Sequence, residues 1–442
     1  MIYNYSNKKI LILGMGKTGL SCINFFLSKG IFPKIMDTNK NPKCITEIHK
    51  FKNIRYHIGS INYSWILESN LIISSPGISY FHPALTFAYK HNIEIIGDIE
   101  LFTRETKVPI IAITGSNGKS SVAAMVKEII EKAGFSVYLG GNIGIPALSI
   151  INKSADFFVL ELSSFQLEQT FSLKAYVSTV LNITPDHINR YPLGIKQYAR
   201  IKQKIYKNAK ICVINLDDKL SFKKLKKHVR YISFGENQGD YHLNSINKNI
   251  WLYYQSHKLI NTTELKISGK HNYINMLSAL SIVHALKIRL DVSLPILKNF
   301  LGLPHRYQII CQHNDILWIN DSKSTNIMST AAAINNISKT KKIRLILGGD
   351  SKFANLSPLK SILKNKLITI YCYGKDKKKF FKLYPYRSMC FNTLSEVIRC
   401  ISRQVQSGDI VLLSPACSSL DQFPGFEARG DAFSKLVKEL IF

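Results

Sequence analysis

Six residues constrain the fold of this chain most: Gly115-Ser116-Asn117-Gly118-Lys119-Ser120. They follow an apolar strand, Val108 to Ile113, that breaks at Thr114. They open a helical stretch running from Lys119 to Ala133. Glycines let backbone amides turn inward, and a helix N-terminus adds the positive end of its dipole. A strand, a loop of this composition and a helix therefore cradle an anion. Lys119 can reach the β- and γ-phosphates of a nucleotide, and the Ser120 hydroxyl can ligate Mg²⁺. The loop is shorter than the common G-x-x-x-x-G-K-[ST], but its context is the same. A turn with only a structural role would not require Lys-Ser after the last glycine. Gly115, Ser116, Asn117, Gly118, Lys119 and Ser120 are the expected NTP-phosphate residues.

The 442 residues are enough for about three domains. The chain begins strand, turn, helix, strand over residues 8–37, and Leu71-Ile72-Ile73 then runs into Ser74-Ser75-Pro76-Gly77. This unit ends near residue 97. A second spans 98–302, with strands Phe157 to Leu160, Val177 to Leu181 and Ile211 to Ile214. After a polar, strand-rich stretch at 228–268, a helix at 272–287 follows. A third covers 303–442, with strands Ile343 to Leu347, Ile368 to Tyr373 and Ile410 to Leu413. Short strands alternating with helices imply α/β domains on parallel sheets.

Other polar residues stand at strand ends. Gly14-x-Gly16-x-x-Gly19, with Asp37 twenty-one residues after Gly16, has the form of a dinucleotide fingerprint. Alone it favours a dehydrogenase. It serves equally for any nucleotide diphosphate, including a UDP moiety, or for glycines that only pack a helix on a strand. Glu161 closes the strand Phe157 to Leu160, where a carboxylate beside a phosphate loop can bind the metal or cap a helix. His187, in Thr184-Pro185-Asp186-His187, is a candidate second metal ligand.

Composition excludes several classes. No run of 18 apolar residues exists, so no spanning helix is expected. Lys8-Lys9 precedes an apolar run too short for a secretory signal, and a cytoplasmic protein with a buried first strand is expected. Eight cysteines without a C-x-x-C pair argue against zinc or disulfides and for buried free thiols. The net charge of +30 suggests nucleic acid, yet only 12 of the 59 basic residues are Arg, the better phosphate and base reader. Lysine runs at 223–227 and 375–379 read as solvated surfaces.

Together these motifs resemble the Mur ligases of peptidoglycan synthesis, over nearly the whole chain. The resemblance is carried by Gly-Met-Gly-Lys-Thr-Gly-Leu-Ser at 14–21, Ser-Pro-Gly-Ile at 75–78, the phosphate loop and Gly-Asn-Ile-Gly at 141–144. It continues through Glu-Leu-Ser-Ser-Phe-Gln-Leu-Glu at 161–168, Thr-Pro-Asp-His at 184–187, His-Asn-Tyr-Ile-Asn at 271–275 and Pro-His-Arg at 304–306. It ends with Asn-Asp-Ser-Lys-Ser-Thr-Asn at 320–326 and Leu-Ser-Pro-Ala-Cys-Ser-Ser-Leu-Asp-Gln-Phe at 413–423. The segments at 161–167 and 414–417 resemble those of the D-glutamate-adding member.

The resemblance implies an N-terminal Rossmann-like domain, a central P-loop ATPase-like domain and a C-terminal Rossmann-like domain. They would bind a UDP-substrate (1–97), ATP (98–302) and an amino acid (303–442). It implies ATP-dependent activation of the carboxylate of UDP-N-acetylmuramoyl-L-alanine as an acyl phosphate, then attack by D-glutamate. Two Mg²⁺ are expected, with Ser120 and Glu161 on the first and His187 on the second. The expected catalytic residues are Lys119, Glu161, His187 and Lys202. The stretch 198–206 resembles the family segment whose lysine is carbamylated, so Lys202, as a carbamate, becomes a second-metal ligand; composition alone reads it as an exposed lysine on a basic helix. Asn272, Asn275, Arg306 and Asp321 match contacts to the adenosine, ribose and phosphate side. Lys323, Thr325, Lys352, Ser419 and Phe426 match D-glutamate contacts. Met15, Lys17, Thr18, Asp37, Thr38, Gly77 and Asn142 match positions near the UDP-muramoyl substrate, as does His187. No nucleic acid, no membrane and a monomeric chain are expected.

Asn39 stands where the family often has Arg beside the uracil, Ser120 replaces the commoner Thr, and Lys17 replaces an apolar residue. Three rivals remain at this level. A dehydrogenase leaves Lys119, Ser120, Glu161 and His187 without a role. A nucleic-acid-dependent NTPase needs its cations on one face, and a related ligase would add a different amino acid. Cys417 has no histidine near it in sequence and is not expected to act as a nucleophile.

Overall fold

The computed structural model describes residues 3–222, 229–247, 249–351, 355–364 and 367–441. Three sheets organise them. The first runs Tyr56–Ile58, Lys34–Asp37, Ile10–Leu13, Leu71–Ser74, Glu94–Gly97, all parallel. Its central strand is apolar throughout because both faces are covered. Ile10 and Ile12 enter one core with Ile23, Phe26 and Ile99. Leu11 and Leu13 enter another with Ile66, Leu85 and Ala88. The strand order reverses beside Ile10–Leu13, so the turns at Gly14 and Ser75 share one crevice at the strands' C-terminal ends.

The second sheet runs His257–Asn261, Asn249–Tyr254, Tyr241–Ile246, Arg230–Phe234, Ile211–Asn215, Val177–Val180, Ile110–Thr114, Phe157–Glu161, Val137–Gly141. Its strands from Arg230 to Gly141 in that order are parallel, and an antiparallel meander over 241–261 closes one edge. The apolar core is continuous from the first sheet into the second. Ile12, Phe26, Phe102, Phe158 and Leu160 belong to one cluster, with the Phe102 and Phe158 rings 5.2 Å apart. The two sheets consequently form one compact unit, residues 1–265 with 272–299.

The third sheet lies in a second compact unit, residues 266–271 with 300–442. Its order is Gln308–His313, Ile316–Asn320, Ile410–Leu413, Ile343–Gly348, Ile368–Tyr373, Ser388–Cys390. It is parallel apart from its first strand. Leu345 and Leu347 pack on one face and Ile346 on the other.

Local details depart from the sequence reading. The first helix spans Lys17–Leu27, with Gly16 as its N-cap, so it begins directly at the glycine turn. The eight cysteines are free, but only five are buried. Cys311 and Cys400 are half-buried and Cys390 is exposed, since they lie on peripheral strands and a surface helix rather than in the expected cores. The 223–227 lysine run lies outside the described residues. Lys375 and Lys379 sit at the surface, paired with Asp350 and Asp376.

Gly19 is a packing requirement. A Cβ there would lie 2.0 Å from the Gly14 carbonyl oxygen, so the helix meets its strand only without a side chain. Gly19→Ala is expected to cost about 1–3 kcal/mol by overpacking. Thermal or urea unfolding checks this; an unchanged midpoint would show that the helix shifts freely.

Candidate active site

The central strand Ile110–Thr114 of the second sheet pairs with Phe157–Glu161 on one side and Val177–Val180 on the other. All three run the same way, so the loops that follow them meet at one end. Gly115 (φ +154°) and Gly118 (φ +85°) hold conformations that favour glycine. A Cβ on Gly118 would stand 2.4 Å from the Asn275 side-chain oxygen. This contact places Asn275, buried on the helix Lys270–Ala285, against the loop, and Asn272 lies one turn earlier on that helix. The loop is pinned from the neighbouring strand end. The Asn182 carbonyl accepts from the Ser116 N–H (2.8 Å), its Oδ1 accepts from the Asn117 N–H (2.9 Å), and its Nδ2 donates to the Asn117 carbonyl (3.0 Å). The Ser116 hydroxyl donates to the Thr184 carbonyl, accepts from the Thr184 N–H, and lies 3.1 Å from the Tyr198 hydroxyl.

Two lysines converge on this loop. Lys119 Nζ donates to the carbonyls of Gly115 (2.8 Å) and Ser116 (2.9 Å). Lys202 Nζ donates to the same Gly115 carbonyl (3.0 Å) and to Thr114 Oγ1 (3.1 Å). Lys202 is 1% exposed, with its Nζ 4.8 Å from the centre of the Tyr198 ring. It is therefore not the exposed lysine that composition suggests. Burial first, and the Lys119 charge second, push its amine well below the ordinary lysine value.

The Ser120 hydroxyl donates to Glu161 Oε2 (2.5 Å), and Asn142 Nδ2 donates to Oε1 (2.7 Å). Glu161 is 2% exposed. Hydroxyl and carboxylate oxygens are hard donors of the kind Mg²⁺ takes, and Ser120 and Glu161 would hold such an ion here. Among the described residues, no three His, Cys, Asp or Glu side chains gather as a ready metal cluster. The ion's remaining ligands would therefore come from outside that set. His187 sits at φ +53°, an unusual conformation for a non-glycine residue. Its ring packs edge-on against Phe165 and its Nε2 lies 3.6 Å from Asp186.

In the first-sheet crevice, Asp37 is engaged by the chain itself. Its carboxylate accepts from the N–H groups of Met15 and Asn39, each at 2.8 Å. The Met15 side chain is buried and its carbonyl accepts from Cys44 N–H, so this turn is held rigid. Lys17 and Thr38 are exposed, and Thr18 is half-buried at the helix start. A Cβ on Gly16 or Gly77 would meet nothing within 4 Å, and neither residue has a positive φ. Neither packing nor backbone demands glycine there, so bare backbone faces open space at both turns.

In the third-sheet unit, Asp321 is buried. It accepts from the Tyr307 N–H (3.0 Å), the Ser324 hydroxyl (2.5 Å) and the Ser414 hydroxyl (2.7 Å). Burial nevertheless raises its carboxyl to about 6, while the hydroxyls and the Arg306 charge act the other way. Lys323 Nζ stands 3.9 Å from the centre of the Phe426 ring. Thr325 follows in the same loop, its N–H donating to the Lys323 carbonyl (2.7 Å). Ser419 is buried at the end of the Ile410–Leu413 strand loop. Lys352 lies outside the described residues.

Three family profiles match the chain: "Mur ligase MurD-like, N-terminal domain" over 8–97, "Mur ligase middle domain" over 113–283 and "Mur ligase, glutamate ligase domain" over 305–417. The chain belongs to the Mur ligase family. A relative in Buchnera aphidicola subsp. Baizongia pistaciae, named UDP-N-acetylmuramoylalanine--D-glutamate ligase, is 68% identical over 441 residues, with both chains covered in full. A protein of the same name from Shigella boydii is 46% identical, covering 99% of each. Among solved structures, the UDP-N-acetylmuramate-alanine ligase MurC of Thermotoga maritima aligns with a TM-score of 0.64 at 17% identity, over 98% of this chain and 100% of that one. A pseudomurein peptide ligase type C from Methanothermus fervidus gives 0.63 at 18%, with the same coverage. These structures share the three-domain fold. Mur ligases are ATP-dependent and form amide bonds.

Sequence reasoning missed Thr114, Asn182 and Tyr198, which complete the phosphate-loop surroundings of this Mur ligase. Tyr198 carried a signal, since it stands four residues before Lys202 and so shares its helix face. Asn182 carried none, because its bonds run to residues 65 positions away.

The Asp321 carboxyl binds its proton more tightly in the folded chain than in the unfolded one, where it titrates near 3.9. The resulting stabilisation is complete below about pH 4 and is lost as pH rises through about 6. Relative to Asp321→Asn, which does not titrate, the wild type is expected to lose about 2 kcal/mol of stability between pH 4 and pH 7. Parallel denaturant titrations at both pH values check this, and a pH-independent difference would refute it.

Proposed function

We propose that this chain joins D-glutamate to UDP-N-acetylmuramoyl-L-alanine, converting ATP to ADP and phosphate, in cytoplasmic peptidoglycan-precursor synthesis. The observation that carries the reading is the phosphate loop, whose Lys119 and Ser120–Glu161 pair stand together where two neighbouring parallel strands end. The name shared by relatives up to 68% identical over their full length supports the choice of amino acid and nucleotide substrate. In this reading residues 1–97 bind the UDP-substrate, 98–302 bind ATP and 303–442 bind D-glutamate, and the chain acts as a monomer.

A carboxylate is a poor acyl donor to an amine. Transfer of the γ-phosphoryl group to its oxygen, with ADP leaving, makes an acyl phosphate. The D-glutamate amine then attacks the carbonyl carbon, and phosphate leaves as the amide forms. The protein's part is positioning and charge. The 115–118 amides and the Lys119 ammonium hold the phosphates, with Asn272, Asn275, Arg306 and Asp321 serving the rest of the nucleotide. Ser120 and Glu161 would hold one Mg²⁺, and His187 with Lys202, as its carbamate, a second; bound there, the ions would supply positive charge toward the phosphate oxygens. Lys323, Thr325, Lys352, Ser419 and Phe426 receive D-glutamate. Met15, Lys17, Thr18, Asp37, Thr38, Gly77 and Asn142 border the UDP-muramoyl substrate, and the open space at Gly77 suits a close approach of ligand to backbone.

The deciding experiment is ADP release with UDP-N-acetylmuramoyl-L-alanine and each amino acid in turn. D-Glutamate is expected to support turnover and L-glutamate not, with Lys119→Ala folded but inactive. Equal rates for the enantiomers, or an active Lys119→Ala, would reject the reading.

Lys202 supplies the next prediction. An uncharged buried amine adds CO₂, releasing a proton and giving an anionic carbamate, and the neighbouring Lys119 charge favours that anion. Lys202→Ala is expected to lose most activity, and millimolar acetate to restore part of it. A fully active Lys202→Ala enzyme would show that no carbamate is needed.

A further inference from the structure

A single arginine ties two loops of the site together. Arg190 ends the short turn Ile188–Arg190 that follows His187. Its Nη1 donates to the Pro76 carbonyl and its Nη2 to the Ile78 carbonyl, both at 2.9 Å. The two carbonyls flank Gly77, so one guanidinium grips the peptide on both sides of that residue. Nε and Nη2 also donate to the two oxygens of Glu168, at 3.0 and 2.7 Å. The guanidinium carbon lies 3.9 Å from the centre of the Phe165 ring, and that ring meets His187 edge-on at 4.9 Å. Phe165 and Glu168 come from one helix, Ser164–Glu168, fixed by a Ser163–Gln166 capping box directly after Glu161. The Arg190 and Glu168 side chains are 10% and 7% exposed.

We infer that Arg190 is a positioning residue: it splints the Pro76–Ile78 loop to the His187 loop, so that the grip on the UDP-bearing substrate and the placement of His187 depend on one guanidinium. The inference rests on the proposed function for the identity of that substrate. A buried Arg–Glu pair adds little net stability over an apolar replacement, so this geometry is better explained by placement than by stability. Lysine is no substitute, because its ammonium lacks the planar fork that serves two carbonyls and a carboxylate at once.

The test compares Arg190→Lys and Arg190→Ala with wild type, varying one substrate at a time. Arg190→Ala is expected to raise KM for UDP-N-acetylmuramoyl-L-alanine on the order of 100-fold, Arg190→Lys roughly tenfold, and KM for ATP by less than about twofold. A cleft of about 200 Å³ opens beside Arg190, bordered by Tyr80, Phe81 and Gln197. Through it, millimolar guanidinium is expected to restore part of the Arg190→Ala activity. An unchanged KM for the UDP-substrate, or an equal rise for ATP, would overturn the inference. Hydrogen exchange distinguishes failure of the splint from failure of the proposed function. If wild type makes no ADP from these substrates, the proposed function fails. The splint then stands only if Arg190→Ala speeds exchange in both 75–79 and 184–188, and falls if either segment is unchanged.

Discussion

The Gly115 carbonyl accepts from both Lys119 and Lys202, and the chemistry of the site follows from that sharing. Two ammonium groups on one acceptor repel, and burial denies them water to spread the charge. Lys119 sits at the mouth of the loop, half-exposed, while Lys202 is enclosed beneath it beside Tyr198. Burial and the Lys119 charge together push the enclosed amine well below the ordinary lysine value. A loop that looks like a simple anion cradle thus holds two lysine nitrogens in different surroundings, one half-exposed at its mouth and one buried beneath it. Both are fixed by main-chain oxygens that cannot be mutated away.

The same economy of placement recurs in each sheet. Parallel strands send their following loops to one end, so residues far apart in sequence meet there. In the second sheet this brings Glu161 to Ser120 and Thr184 to Ser116. In the third it brings Ser414 to Asp321 across 93 positions. In the first it brings Ser75 beside Gly14, whose Cβ position would lie 2.6 Å from the Ser75 hydroxyl. The strands Ile10–Leu13 and Ile110–Thr114 are legible for this reason: buried on both faces, they carry no polar alternation until the residue where the site begins.

What the sequence alone determined is the local part. The loop 115–120 could be read because its function lies in consecutive residues: glycines for the turn, a lysine and a hydroxyl on the first turn of the following helix. Glu161 could be read as an acid closing an apolar strand, whereas Asp321 came only through the resemblance. Spacing did not tell that Lys202 is buried, since a helix with Lys196, Arg200 and Lys204 around it reads as a solvated basic face. Tertiary structure decided that, because the helix lies over the loop and encloses one of its lysines. It also decided that Asp37 spends its oxygens on the amides of Met15 and Asn39, and that Arg190 holds the peptide around Gly77. Periodicity and composition record which side of an element is apolar. They do not record which distant carbonyl a guanidinium meets, because that depends on how the strands are ordered in the sheet and on where each loop turns back.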